Sequence, residues 1–237
     1  MKICVNCIAT NKYIEFIPQL IYSIDQYFLI GHEITVNIFT DAEPLAYVVI
    51  NTTRLKIIQH KIPAYKFPEA TLLRYHIMTG IEYDCDYIFY LDADMKIVDY
   101  VGDEIIGDLV AVRHPGYFVA NGWGSNNTPV NSTAYLPVKQ RLKYFCGGFN
   151  GGRKEIYLSV MNLLKKNIDT DNSNGVMADF HDETHFNWYL AHTEINVTEL
   201  NPSYCIPEAV HKRRYSKVDN LPVKIIALEK DFNYFRG

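Results

Sequence analysis

The 237 residues are 48% hydrophobic and 14% aromatic, enough to bury one large domain or two closely merged halves. A formal charge of −4 and a pI near 6.1 exclude a nucleic-acid binder that works through a broad basic surface. No signal peptide and no apolar run of about 18 residues stands in the chain, so the expectation is a soluble cytoplasmic protein with no membrane span. The Asn-x-Ser/Thr matches at Asn51, Asn126, Asn131 and Asn196 then carry no glycosylation meaning.

Met1 to Thr10 reads as an opening strand, Pro18 to Leu29 as a helix that Gly31 stops, and Ile34 to Phe39 as a second strand. This order predicts a right-handed βαβ unit. Leu55 to His60 extends it with a third strand, Pro63 to Pro68 is a loop, and Thr71 to Tyr83 a helix. The run Tyr87-Ile88-Phe89-Tyr90-Leu91 follows, apolar enough for a strand covered on both faces. It runs straight into Asp92-Ala93-Asp94. Carboxylates two residues apart on extended backbone can share a side, and ligands gather outside the carboxyl ends of such strands. Two hard oxygen donors there suit Mn²⁺ or Mg²⁺ held jointly with nucleotide phosphates. Asp84-Cys85-Asp86 and Asp169-Thr170-Asp171 share the spacing but lack a buried strand in front, and read as solvated turns.

Leu109 to Arg113 is a short strand, and Ala120 to Ser132, rich in Gly, Asn and Ser, predicts an exposed loop. The four glycines of Tyr144 to Gly152 fit either close backbone approach to a ligand or a bulged strand. They do not match a phosphate-binding loop. Lys154 to Lys166 reads as an amphipathic helix. His181-Asp182-Glu183-Thr184-His185 then opens another, with its acids near the helix N-terminus. The Glu stands third, not second, so a zinc-protease reading is weak. Of the five cysteines, Cys4 and Cys7 lie in the first strand and read as buried apolar residues. The tail, Val223 to Gly237, is of the kind that stays disordered until a ligand pins it.

The ordered set Asn11-Lys12-Tyr13, Phe39-Thr40-Asp41, Asp92-Ala93-Asp94, His114-Pro115-Gly116, Ala134-Tyr135-Leu136-Pro137, Gly147-Gly148-Phe149-Asn150-Gly151-Gly152, His181-Asp182-Glu183-Thr184-His185 and Pro202-Ser203-Tyr204 resembles glycosyltransferase family 6 over nearly the whole chain. The resemblance implies one α/β domain of GT-A fold. Its Rossmann-like, UDP-binding half would span about residues 1–110, merged with an acceptor and catalytic half over about 111–237. It implies retaining transfer of GalNAc, or less readily Gal, from a UDP-sugar to a galactoside, fucosylated in some members, in an α1,3 link. Carried over by position, Asp92 and Asp94 hold Mn²⁺ (Mg²⁺ the alternative) on the diphosphate. Ile8, Thr10 and Tyr13 hold the uridine, Ala93 lies between the metal ligands, and Arg74 approaches the donor sugar. Lys230 and Arg236 close over the diphosphate. Cys146-Gly147-Gly148 sets the donor, with Gly148 pointing to GalNAc. Asp182 contacts donor hydroxyls and Glu183 is the catalytic carboxylate. His114, Phe180, Glu183 and Glu208 line the acceptor. The chain departs from the family at Asn121 to Asn127, where mammalian members are Arg-rich, at Phe180, where an indole is usual, and at Pro207, where they place an Asp. Two other readings share the paired Asp or the fold: a metal-dependent nucleotidyltransferase or phosphodiesterase, and a glycan-binding module without turnover.

Overall fold

The computed structural model describes residues 1–44, 53–118, 122–209, 218 and 220–236. Asn51, Ala120 and Asn121 lie outside them. Among the described residues a seven-stranded sheet runs in the order β3-β2-β1-β4-β7-β6-β8. Its strands are β1 (Lys2–Ile8), β2 (Glu33–Thr40), β3 (Leu55–Lys61), β4 (Tyr87–Leu91), β6 (Leu109–Arg113), β7 (Phe145–Arg153) and β8 (Val197–Leu200). β3, β2, β1 and β4 are parallel, as the alternation of strand and helix requires. β7 lies antiparallel between β4 and β6. This is the mixed sheet of a GT-A-type fold. A smaller sheet joins β5 (Met95–Ile97), β10 (Ile225–Ala227) and β9 (Ile206–Pro207).

Side-chain alternation along β1 divides the core. Ile3, Val5 and Cys7 face α1 (Ile17–Tyr27), with its Ile17, Leu20, Ile21 and Ile24. Cys4 and Ile8 face the other way, toward Tyr75, Met78, Tyr157, Met161 and Phe186. Those residues belong to α3 (Arg74–Met78), α4 (Lys154–Ser173) and α5 (His181–His192). With both faces covered, β4 is buried throughout, and the cysteines of β1 are buried small residues as expected.

Three expectations are corrected. The helix predicted over Thr71 to Tyr83 is broken into α2 (Glu69–Leu72) and α3. Leu73 leaves helical geometry at ψ 5°, and Thr79 Oγ1 turns back onto the Tyr75 carbonyl at 2.7 Å just before Gly80. The described part of the Ala120 to Ser132 segment is packed rather than exposed: Trp123, Ser125, Thr128 and Ser132 are buried. Asp169-Thr170-Asp171 is no solvated turn. It lies in α4, which runs seven residues past Lys166, and Asp171 is buried, accepting from Ser132 Oγ at 2.5 Å and Thr133 N at 2.7 Å. The tail folds back on the body of the protein. β10 pairs with β5 and β9, and α6 (Phe232–Arg236) packs on the 3-10 turn Asn11–Phe16. Phe235 stacks on Phe16 at 4.8 Å, and Tyr234 Oη bonds Glu15 at 2.8 Å.

Candidate active site

The carboxyl ends of β1 and β4 open into a cleft of about 420 Å³. Ile8, Thr10 and Tyr13 from the end of β1 and the turn after it form one wall. Asp92, Ala93 and Asp94 form the floor, and Lys230 and Arg236 of the tail close the third side. Eight of the expected donor-side residues therefore share one cavity. Tyr65, Phe67 and Phe235 line it as well and were not anticipated, because loop and tail aromatics have no periodic signal.

Asp92 and Asp94 stand on a turn, not on extended backbone, since Met95 N bonds the Asp92 carbonyl at 3.1 Å and restarts the chain as β5. Both still face the cleft. Asp92 Oδ1 accepts from Arg74 at 3.0 Å and from Tyr90 Oη at 2.7 Å. Asp94 is buried and ion-paired to Lys230. Burial, then the neighbouring Asp92, pushes the Asp94 carboxyl up, and Lys230 opposes this. Lys230 in turn is held charged against its own burial by Asp94. Among the described residues no third His, Cys, Asp or Glu joins the pair. The donor set therefore fits a hard divalent ion whose remaining ligands are phosphate oxygens and water, not a closed protein cage. The Asp92 side chain is one-third exposed, and its Oδ2 takes no part in the bonds to Arg74 and Tyr90.

Arg74 connects this floor to α5. Buried and stacked 3.9 Å over the Tyr90 ring, it reaches Asp92 Oδ1 at 3.0 Å, Asp182 Oδ2 at 2.8 Å and the Gly147 carbonyl at 2.7 Å. Burial works against its charge, but Asp182, Tyr90 and Asp92 hold it protonated. The helix break at Leu73 is what frees Arg74 to turn inward. Burial lifts Asp182 to about 6, with Arg74 opposing.

Glu183 sits one residue on. Its Oε1 accepts from Tyr144 Oη at 2.6 Å and its Oε2 from Gly147 N at 2.7 Å. Burial raises the carboxyl to about 7 despite these two bonds, and Asp182 adds to the rise. Tyr144 was not singled out in the sequence; its position just ahead of the glycine run was the one available hint. It is buried, with Trp123 edge-on at 4.9 Å, Tyr117 at 5.2 Å and His114 at 5.7 Å. His114 is thus one ring removed from Glu183, and burial lowers it to about 4, so it is neutral. Its Nδ1 accepts from Gly116 N at 3.1 Å.

The Cys146-Gly147-Gly148 segment divides. The Cys146 side chain belongs to the core, its thiol 3.5 Å from the Val112 carbonyl, so only the two glycines reach the site. A Cβ on Gly147 would lie 3.4 Å from Arg74 and Glu183. On Gly148 it would fall 2.2 Å from Met95 Cε and 3.1 Å from Asp92 Oδ2. The space beside Gly148 is thus already filled by the tip of Met95. Phe180 is 43% exposed and touches the site through its backbone, its N–H donating to Thr184 Oγ1 at 2.9 Å. Glu208 binds the tail, accepting from Glu229 N at 2.9 Å next to Lys230. His181, at φ +48°, stands edge-on to Phe67 at 5.4 Å, and Arg236 lies 3.9 Å over the same ring. Tail and α5 thereby meet across Phe67.

The model of glycosyltransferase family 6 matches residues 1–237. The chain belongs to glycosyltransferase family 6. It is 26% identical over 204 residues to rat histo-blood group ABO system transferase 1, covering 83% of this chain and 58% of that protein. It is 29% identical over 249 residues to human globoside α-1,3-N-acetylgalactosaminyltransferase 1, covering 100% of this chain and 69% of that protein. The Escherichia coli O-antigen biosynthesis glycosyltransferase WbnI is 23% identical over 228 residues, with 92% and 93% covered. The chain spans less than two thirds of the two rat ABO transferases it matches. No helix among the described residues is long and apolar enough to cross a membrane.

Proposed function

We propose that this family 6 chain transfers GalNAc from UDP-GalNAc to a galactoside acceptor with retention of configuration, forming an α1,3 link. The observation that carries this reading is the row of charged groups that the fold assembles: Lys230 paired with Asp94, Arg74 ion-paired with both Asp92 and Asp182, and Glu183 next to Asp182 in the chain. It sets a cation and two acids for a diphosphate at one end and a carboxylate for a sugar carbon at the other. Tyr13, Thr10 and Ile8 would flank the uracil and ribose. Lys230 and Arg236, whose aromatic neighbours Tyr13 and Phe67 hold them over the cleft, would neutralise the departing UDP.

Asp92 and Asp94 would hold Mn²⁺ or Mg²⁺ against the diphosphate, which supplies Lewis-acid stabilisation of the leaving group. Lys230, which pairs with Asp94 in the same cleft, would add positive charge beside the diphosphate. Arg74 keeps Asp92 oriented and Asp182 ionised toward donor-sugar hydroxyls. Glu183 at about 7 is near its titration midpoint at neutrality. Tyr144 Oη and Gly147 N favour its ionised form, which can attack the anomeric carbon or stabilise an oxocarbenium-like centre. His114, neutral, would accept from or donate to an acceptor hydroxyl.

The test is UDP release from UDP-GalNAc and UDP-Gal, with Mn²⁺ or a chelator, with and without a fucosylated galactoside. Acceptor-stimulated release that prefers UDP-GalNAc and needs the ion is the expected result. No release from either donor would leave a glycan-binding module instead, and pyrophosphate in place of UDP would indicate a nucleotidyltransferase.

A further inference from the structure

The three most exposed large hydrophobic side chains among the described residues are Leu142 (83%), Val130 (78%) and Val138 (75%). All lie within residues 130–142. A single exposed aliphatic residue carries no meaning, but a group with a consistent charge environment does. Lys139 and Arg141 alternate with Val138 and Leu142, and Lys143 follows. Residues 109–154 contain no Asp or Glu, in a chain that has 27 acids against 23 Lys and Arg. Asp171, Asp179 and Glu183 reach this stretch as acceptors from its neutral groups, whereas Glu199 of β8 pairs with its cations, shared between Lys143 at 2.6 Å and Arg113 at 2.8 Å. Among the described residues Lys139 and Arg141 have no carboxylate partner.

The segment is built rather than loose. Arg141 Nε bonds the Leu136 carbonyl at 2.9 Å, Gln140 N the Pro137 carbonyl at 2.8 Å, and Arg141 N the Val138 carbonyl at 3.1 Å. Leu136, at its root, is buried with Trp123 and Tyr144. The turn therefore stands on the cluster that holds Glu183, and keeps its apolar tips in water while its polar groups bond inward.

We infer that the turn formed by residues 137–143 docks on an anionic lipid bilayer. Aliphatic tips enter the interfacial layer, while interleaved cations stay at the headgroups and gain from the negative surface potential. A second copy of this chain fits the same surface less well. Two aliphatic side chains, Val138 and Leu142, fall far short of the roughly 800 Å² per partner of a stable interface, and the chain's own net charge is negative. Docked in this way, the Glu183 side of the site lies next to the bilayer, where a lipid-borne acceptor would stand. That last step rests on the transferase reading, whereas the docking does not.

The experiment is sedimentation of the intact chain with vesicles of phosphatidylcholine alone and of phosphatidylcholine with phosphatidylglycerol, without donor, at low and raised salt. Salt-sensitive binding to the anionic vesicles only is expected. Lys139→Ala should weaken it about fivefold, and Val138→Asp with Leu142→Asp by more than about tenfold. Both variants should keep the parent's thermal midpoint and its UDP release with a water-soluble acceptor, because these side chains touch nothing in the core. Absence of vesicle binding by the parent would overturn the inference. So would binding that Val138→Asp with Leu142→Asp leaves intact, or a dimer in gel filtration that this double variant splits.

Discussion

Tyr144→Phe removes one hydroxyl and little else, since the ring stays wedged between Trp123 and Tyr117. The lost bond is Tyr144 Oη to Glu183 Oε1 at 2.6 Å. Burial holds Glu183 at about 7 while this bond and the one from Gly147 N pull it down. A hydrogen bond to a charged acceptor contributes about 1.5–3 kcal/mol, and about 1.36 kcal/mol corresponds to one pKa unit. The bond stabilises the ionised form, so its loss raises the pKa, by roughly one to two units on those figures. The ionised fraction at neutrality should then fall from about a half to between about a tenth and a hundredth. The assay is kcat/KM for UDP release across pH. Its acid limb should move from about 7 in the parent to roughly 8–9 in the variant, with the rate recovering toward the parent's at high pH. A rate reduced equally at every pH, with the limb unmoved, would mean that Tyr144 acts only by packing and would refute the argument.

Glu183→Gln should retain UDP affinity in calorimetry and lose transfer by roughly 10²–10³-fold. Stability gives a second readout: a carboxyl raised above its ordinary value of 4.5 to about 7 destabilises the fold increasingly as pH climbs through that window. The thermal midpoint of Glu183→Gln should therefore gain on the parent between pH 4.5 and 7 and stay ahead above it, and parallel curves would contradict the raised pKa. Asp92→Asn with Asp94→Asn should abolish either the Mn²⁺ requirement or the activity, and an unchanged response to Mn²⁺ titration would remove the metal site. Lys230→Ala should slow UDP release by roughly 10²-fold or more while acceptor KM holds; an unaltered rate would leave Lys230 as a mere counter-ion to Asp94. Gly148→Ala must displace the Met95 tip, and should lower the preference for UDP-GalNAc over UDP-Gal by about tenfold or more, read from the ratio of kcat/KM values; an unchanged ratio would break the link between this position and the donor.

Much of the fold was legible in the chain itself. Strands β1, β2 and β4 announce themselves because the inner strands of a parallel sheet, covered on both faces, need long apolar runs, and α1 and α4 because an amphipathic helix needs period 3.6. The paired carboxylates after β4 and the HDETH run at the start of α5 were visible for the same reason: their types and spacing are local. What the sequence could not show was which of these groups meet. Arg74 reaches Asp92 and Asp182 only because Leu73 breaks a helix that periodicity predicts as continuous. Asp171 reads as a turn residue until the 122–136 segment folds over it, and no local signal pairs Lys230 of the tail with Asp94. Tyr144 has no motif of its own, yet it holds the carboxylate on which the proposed chemistry turns. Local propensity and periodicity determined the elements, because they depend on neighbours along the chain. The site was decided by tertiary packing alone, because burial and ion pairs between residues far apart set its charges and its geometry.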